Sequence, residues 1–199
     1  YALEFDSFLE VAKMPATVID GLMDVSLSVW FRTTNGGVFI TAANASRPNE
    51  FLIQILSDGR LSSNIRNVHN VAGVAIFGST AVNDGEWHHL VLFRRGSNGE
   101  AFIFLDGALD GQGFMPAGAL EVNEDGFFLG NDQDCLSGCW DVNNQFIGTL
   151  DDLRIFDREL SVDEIQELGN LDESIEYPNL DLGEDIVTCE QTTVLDAGT

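Results

Sequence analysis

An all-β sandwich is the fold this sequence predicts, and three observations predict it. Short apolar runs alternate with a period of two, turns rich in Gly and Asp separate them, and one segment alone carries a clear helical start signal. The expected architecture is a two-sheet antiparallel jelly-roll β-sandwich with one short C-terminal helix.

The elements follow in chain order. In residues 24–32, Val25, Leu27, Val29 and Phe31 alternate with Ser26, Ser28, Trp30 and Arg32, which makes a strand with one face in a core. The run 51–56 stops at Asp58-Gly59 and resumes over 60–66, a hairpin whose turn favours positive φ. Residues 71–77 form a further strand. In 88–94, Leu90 and Leu92 alternate with Val91 and Phe93, so both faces of that strand should be buried. The strand 101–105 runs into a second turn at Asp106-Gly107, and 126–129 and 146–156 complete the set. The helix opens at Ser161-Val-Asp-Glu164, a capping box in which the Ser161 hydroxyl takes the Glu164 amide and the Glu164 side chain reaches back. Ile165 and Leu168 supply its apolar side and Gly169 can close it.

The chain has 199 residues, 44% of them hydrophobic, enough for one large sandwich. Its charge is one-sided: 33 acidic residues against 9 basic ones leave a formal net charge of −24. Such a surface repels phosphate backbones and anionic headgroups, which argues against nucleic acid and membrane partners, and it attracts divalent cations. No run approaches the roughly 20 apolar residues of a membrane span. Past Asn170 eight carboxylates appear with no Lys or Arg, and Pro178 interrupts the run. The organisation read from this is a domain over 1–170 and an acidic linker with the start of a following domain over 171–199, Val187-Thr-Cys189 being its first strand. Three cysteines leave one without a mate if a bridge forms, so Cys189 is expected to pair within that neighbouring domain. The start at Tyr1 reads as a piece of a processed or larger protein.

The stretch 129–148 carries most of the chemistry. Asp132 and Asp134 alternate along an extended backbone with the Gln133 carbonyl between them, and Gly130 and Gly138 provide bends. Calcium takes six to eight oxygen ligands at about 2.3–2.6 Å, and such donors abound here. A solvated acidic loop stabilised by Asx turns fits the same composition, and spacing alone does not choose between the two.

Two segments carry a resemblance: Leu129-Gly-Asn-Asp-Gln-Asp134, and Gln145-Phe-Ile-Gly-Thr-Leu-Asp-Asp-Leu-Arg-Ile-Phe-Asp-Arg-Glu-Leu-Ser-Val-Asp-Glu-Ile165. Together with Ala2-Leu-Glu-Phe-Asp6, Ser26-Leu-Ser-Val-Trp-Phe31, Gly85-Glu-Trp-His-His-Leu-Val91 and Phe104-Leu-Asp-Gly107, they resemble pentraxins and the related laminin-G-like domains of the concanavalin A-like lectin/glucanase jelly-roll superfamily. The resemblance covers about residues 1–168. It implies an extracellular domain of a secreted or surface multidomain protein, of bacterial type, with Ca2+ as its cofactor. The metal ligands it implies are Asp132, the carbonyl of Gln133, Asp134, Asn144 or the neighbouring Gln145, and Asn49. The sequence departs from the pattern at Pro48, where an acid is expected, which puts a second calcium in doubt. The cysteine pair that pins the pentraxin sandwich is also missing, since Ser28 and His88-His89 occupy those strands.

Cys135 and Cys139 instead bracket the tip of the acidic loop. A disulfide there would close a short ring and lower the loop's ordering entropy. A zinc or redox pair has the same spacing, but no His lies nearby to complete a zinc set, so the bridge is expected. Trp140, with Asp141 beside it, is the candidate ligand contact: an indole can stack on a sugar ring, or equally pack the loop onto the sandwich.

Other candidates read as structural. His88 and His89 are adjacent on a strand and face opposite sheet surfaces. Asp163, Glu164 and Glu167 are accounted for by capping and solvation. No strand shows the paired carboxylates a retaining glycosidase holds about 5–5.5 Å apart, and Glu121-Val-Asn-Glu124 is the nearest approach. The expectation is therefore no enzyme but a calcium-dependent recognition or adhesion module with a glycan or glycoprotein partner. A calcium-stiffened spacer is the alternative, and a hydrolase or lyase the third reading.

Overall fold

The structure, a computed structural model, describes residues 2–7, 10–65 and 74–170, and their side chains except at 47–49. The expected tail over 171–199, the strand residues 66 and 71–73, and Cys189 lie outside them.

Fourteen strands and one α-helix are described. They are β1 (Leu3–Phe5), β2 (Ala12–Lys13), β3 (Val25–Thr33), β4 (Gly37–Asn44), β5 (Arg47–Ile55), β6 (Arg60–Ile65), β7 (Val74–Ala81), β8 (Trp87–Arg94), β9 (Glu100–Leu105), β10 (Ala108–Phe114), β11 (Phe127–Leu129), β12 (Gln133–Cys135), β13 (Gly138–Trp140), β14 (Gly148–Phe156) and α1 (Val162–Gly169). One six-stranded sheet has the order β1-β14-β3-β8-β9-β10, and the other β2-β11-β4-β5-β6-β7. All their pairings are antiparallel. This is the two-sheet jelly roll the sequence predicts.

The period-two strands deliver their apolar face to the space between the sheets. Val25, Leu27, Val29 and Phe31 of β3 meet Phe39, Phe51, Ile53, Leu61 and Phe127 from the other sheet in one core. Phe31 stacks on Phe39 with ring centroids 5.6 Å apart. β8 is buried on both faces, as its apolar run requires: Leu90 and Leu92 join the main core, while Val91 packs outward against Leu160, Ile165 and Leu168. That second cluster seats α1 on the outside of β8 and β3. Trp30 Nε1 donates to the Leu168 carbonyl at 3.3 Å, and Ser26 Oγ to that of Arg158 at 2.7 Å. The capping box is present: Glu164 N donates to Ser161 Oγ and Ser161 N to Glu164 Oε2. Hydrogen bonds from Arg158, then from the Ser161 amide, hold the Glu164 carboxyl down at about 2. Ser161→Ala should cost about 1 kcal/mol, the usual worth of such a cap, measured as a shift in the urea midpoint with unchanged slope.

Several strands escaped the sequence reading, β4, β10, β12 and β13 among them. In β4, Val38, Phe39, Ile40, Ala42 and Ala43 are all fully buried, so no alternation exists to be read. The inner face is in the core, and the 130–147 segment covers the outer one, with β12 resting on β4 and β5. β10 is interrupted by Gly111 and Gly113, which let it close against Phe77 and Ile76 of β7. β12 and β13 lie within the acidic stretch read as loop.

Candidate functional site

The acidic segment is a small ordered hairpin rather than a loose loop. Leaving β11, the chain turns at Gly130, whose φ of +98° and contact with the Phe5 ring leave no place for a side chain. Asn131 and Asp132 follow, both buried. β12 then pairs with β13 in the register Gln133↔Trp140 and Cys135↔Gly138. Cys135 and Cys139 are bridged, with Cα atoms 5.3 Å apart, as expected.

Gln133 explains why the hairpin lies flat on the sheet. Its fully buried side chain donates to the Gly126 carbonyl at 2.7 Å and to the Thr41 carbonyl at 3.5 Å, and it accepts from Ser137 N at 3.2 Å. The group it could offer a cation is therefore its main-chain carbonyl. Asp132, 6% exposed, sits one residue before it and Asp134, exposed, one residue after. Asn131 is fully buried, and its Nδ2 has no hydrogen-bond partner among the described residues. Trp140 is half-buried, its ring edge-on to Phe128 with centroids 5.0 Å apart. The ring thus serves packing against Phe128, the second of the two roles open to it.

Asp141 closes the hairpin. Its N–H donates to the Asp132 carbonyl at 3.0 Å. Its carboxylate accepts from Asn143 N at 2.9 Å, from Asn143 Nδ2 at 3.3 Å and from Asn144 Nδ2 at 2.8 Å. This is an Asx turn, so Asp141 holds backbone instead of reaching outward. Asn144 accepts from Val38 N at 2.7 Å through its carbonyl, and Gln145 forms a parallel bridge with Val38 while its side chain donates to the Ser7 carbonyl. Phe146 then plunges into the core against Phe5 and Phe39.

Asp132, Gln133, Asp134, Trp140 and Asp141 are thus gathered on one hairpin, and Asn144 is tied to it through Asp141. The backbone of Asn49 lies in β5, beneath β12, and its side chain is outside the described residues. Among the described residues no three His, Cys, Asp or Glu side chains cluster as a metal group. The donors on the hairpin are instead two carboxylates, main-chain carbonyls and carboxamides, all oxygens, the set a hard cation takes. The paired histidines lie on the opposite sheet. His88 sits between Asp106 Oδ2 at 2.8 Å and Asp84 Oδ1 at 3.2 Å, and His89 shares a 2.8 Å hydrogen bond with Ser28 Oγ under Trp30.

The family model described as Concanavalin A-like lectin/glucanases superfamily, of laminin-G type, matches residues 10–166. The chain belongs to this superfamily. Among curated relatives of the lectin-type domain, human pentraxin-4 is 27% identical over 157 residues, which are 76% of this chain and 32% of that protein. The chain therefore spans about a third of that relative's length. Among solved structures, the native heptameric SAP-like pentraxin from Limulus polyphemus aligns with a TM-score of 0.65 at 17% identity, over 84% of this chain and 81% of that one. The Ruminococcus gnavus IT-sialidase CBM40 bound to alpha2,3 sialyllactose aligns with a TM-score of 0.65 at 15% identity, over 84% and 96%. These likenesses agree with the lectin-type sandwich built above. Among the described residues no helix is long and apolar enough to cross a membrane.

Sequence reasoning missed Asn131 and the turn-holding role of Asp141. The Asp-Val-Asn-Asn-Gln run, an Asx-turn composition, was a signal for the second.

Proposed function

We propose that this lectin-type domain is a calcium-dependent glycan recognition or adhesion module, not an enzyme, acting outside the cell within a larger protein. The observation that carries this reading is the hairpin: an all-oxygen donor set, pinned by a disulfide and by the buried Gln133 side chain, beside a half-exposed indole. Asp132, Asp134, the Gln133 carbonyl, Asn144 or Gln145, and Asn49 are the proposed metal ligands. When bound, the ion supplies a positive centre that draws sugar hydroxyls to an otherwise acidic rim. The chain's own part is to hold the donors in place before binding, through the Cys135–Cys139 bridge and the bond from Asp141 N to the Asp132 carbonyl. The half-exposed Trp140 ring then offers a stacking surface. The CBM40 neighbour, bound to sialyllactose, supports a glycan as the ligand class.

Calorimetric titration of chelator-treated protein should give a calcium dissociation constant of about 10⁻⁵–10⁻³ M, the range between sensors and extracellular modules. A glycan array should then show binding that chelation abolishes. Trp140→Ala should weaken it roughly tenfold without unfolding the domain, since a stacked aromatic contributes about 1 kcal/mol or more beyond its buried area. The packing of Trp140 on Phe128 favours one rival, a calcium-stiffened spacer. For a spacer, calcium raises the melting temperature, no glycan binds, and Trp140→Ala alters stability alone. Glycan binding that survives both chelation and Trp140→Ala would place the ligand elsewhere.

A further inference from the structure

Beside the return arm of the acidic hairpin lies an open cleft of about 540 Å³, within the size range of small-ligand sites. Three turns distant in sequence build it: the one before β4, the one after β5, and the Asx turn of Asp141. Its polar lining is Asn35, Gln54, Ser57, Asn143, Asn144 and Gln145, five carboxamides and a hydroxyl, with no charged residue. The cleft is thus an uncharged polar surface on a chain of net charge −24.

A carboxamide offers a planar donor and a planar acceptor together, which matches a ligand whose groups both donate and accept. Sugar hydroxyls have that character; phosphates and carboxylates only accept, and cations only donate or coordinate. Several of these amides are already fixed. Asp141 accepts from the side chains of Asn143 and Asn144, and the Gln145 side chain donates to the Ser7 carbonyl, so little side-chain freedom remains to be lost on binding. Gly36 and Gly37 line the cleft where it meets the main chain of Ile55 and Gln145. A Cβ on Gly36 would stand 2.8 Å from the Ile55 carbonyl, and one on Gly37 would collide with that of Gln145.

The geometry points to a subsite in this cleft for a neutral hexopyranose residue, held by the carboxamides of Asn35, Gln54 and Asn143, which stand outside the proposed calcium ligands. It rests on the glycan reading of the domain but not on its calcium. Charge selects against anionic sugars here, because no basic side chain lines the cleft to receive a carboxylate.

The test is a titration of 15N-labelled protein with lactose, and separately with alpha2,3 sialyllactose, each in calcium and in chelator. Side-chain NH2 resonances of Asn35, Gln54 and Asn143 should shift saturably with lactose, with a dissociation constant on the order of millimolar, and equally in chelator. Sialyllactose should bind no more tightly. Asn35→Ala and Gln54→Ala should each weaken lactose about fivefold, the loss of one hydrogen bond, with the remaining spectrum unchanged to show an intact fold. Absence of saturable shifts at these amides, shifts confined to calcium-loaded protein, or tighter binding of sialyllactose would each overturn the subsite. Calcium-dependent shifts around Trp140 alone would do so while leaving the rim reading standing.

Discussion

Replacing Phe146 by alanine should cost the domain about 3–5 kcal/mol, the range for truncating a fully buried aromatic. Phe146 has no exposed surface, meets Phe5 edge-on at 6.0 Å and Phe39 at 5.6 Å, and lies at the end of the acidic hairpin's return arm. Its backbone N–H donates to the Gly130 carbonyl at 3.0 Å, so the two ends of the 130–146 segment are fastened together where this ring enters the core. The cavity left by alanine opens among β1, β4 and β14, and the surrounding strands are too constrained to collapse into it fully. Urea unfolding followed by fluorescence measures the loss. A cost below about 1 kcal/mol, typical of ordinary surface substitutions and small trims, would show that the ring is not a core anchor.

Acidification should destabilise the domain through His89, by about 2 kcal/mol between neutral pH and pH 4. Burial lowers the His89 imidazole to about 4, against an ordinary 6.5 in the unfolded chain, and Asp106 and Asp152 offset only part of this. Between those values the unfolded chain takes up a proton that the folded one refuses, so stability present above about 6.5 is lost as pH falls toward 4. The full shift would be worth more at about 1.4 kcal/mol per unit, and relaxation around the charged ring reduces it. His89 Nδ1 is buried with no hydrogen-bond partner among the described residues, so a proton placed there has nothing described to receive it. Protonation of surface carboxylates relieves self-repulsion over the same pH range, so the decisive quantity is a difference. The pH dependence of unfolding free energy should be steeper for the wild type than for His89→Gln, and parallel curves would refute the assignment.

Much of the sandwich was legible because alternation and turn chemistry survive in strands whose outer face keeps polar residues, even where that face is covered. β3 shows it in Val25 to Phe31, and the Asp106-Gly107 turn adopts the positive φ values, 49° and 77°, that its composition favours. β4 was illegible for the opposite reason: covered on both sides, its Val38 to Ala43 run has no polar face. β10 is hidden for a different reason, two glycines that pack against β7 in a largely exposed strand. At the site, the cysteine bridge could be read from its spacing. The inward turn of Gln133 could not, since a lone glutamine in an acidic stretch looks solvated until the Thr41 and Gly126 carbonyls are seen beneath it. The amide cleft was less visible still, because each of its three turns alone looks like an ordinary connection.

Asp141 stands at the junction of the two surfaces, its N–H committed to Asp132 on one side and its carboxylate to Asn143 and Asn144 on the other. Neither surface can drift in evolution independently at this position. A substitution that improved the fit of one would pass its disturbance to the other within a single residue, so change at Asp141 is pleiotropic by construction. Diversification of ligand preference has freer ground at Asn35, Gln54 and Ser57, which border the cleft without bracing the hairpin.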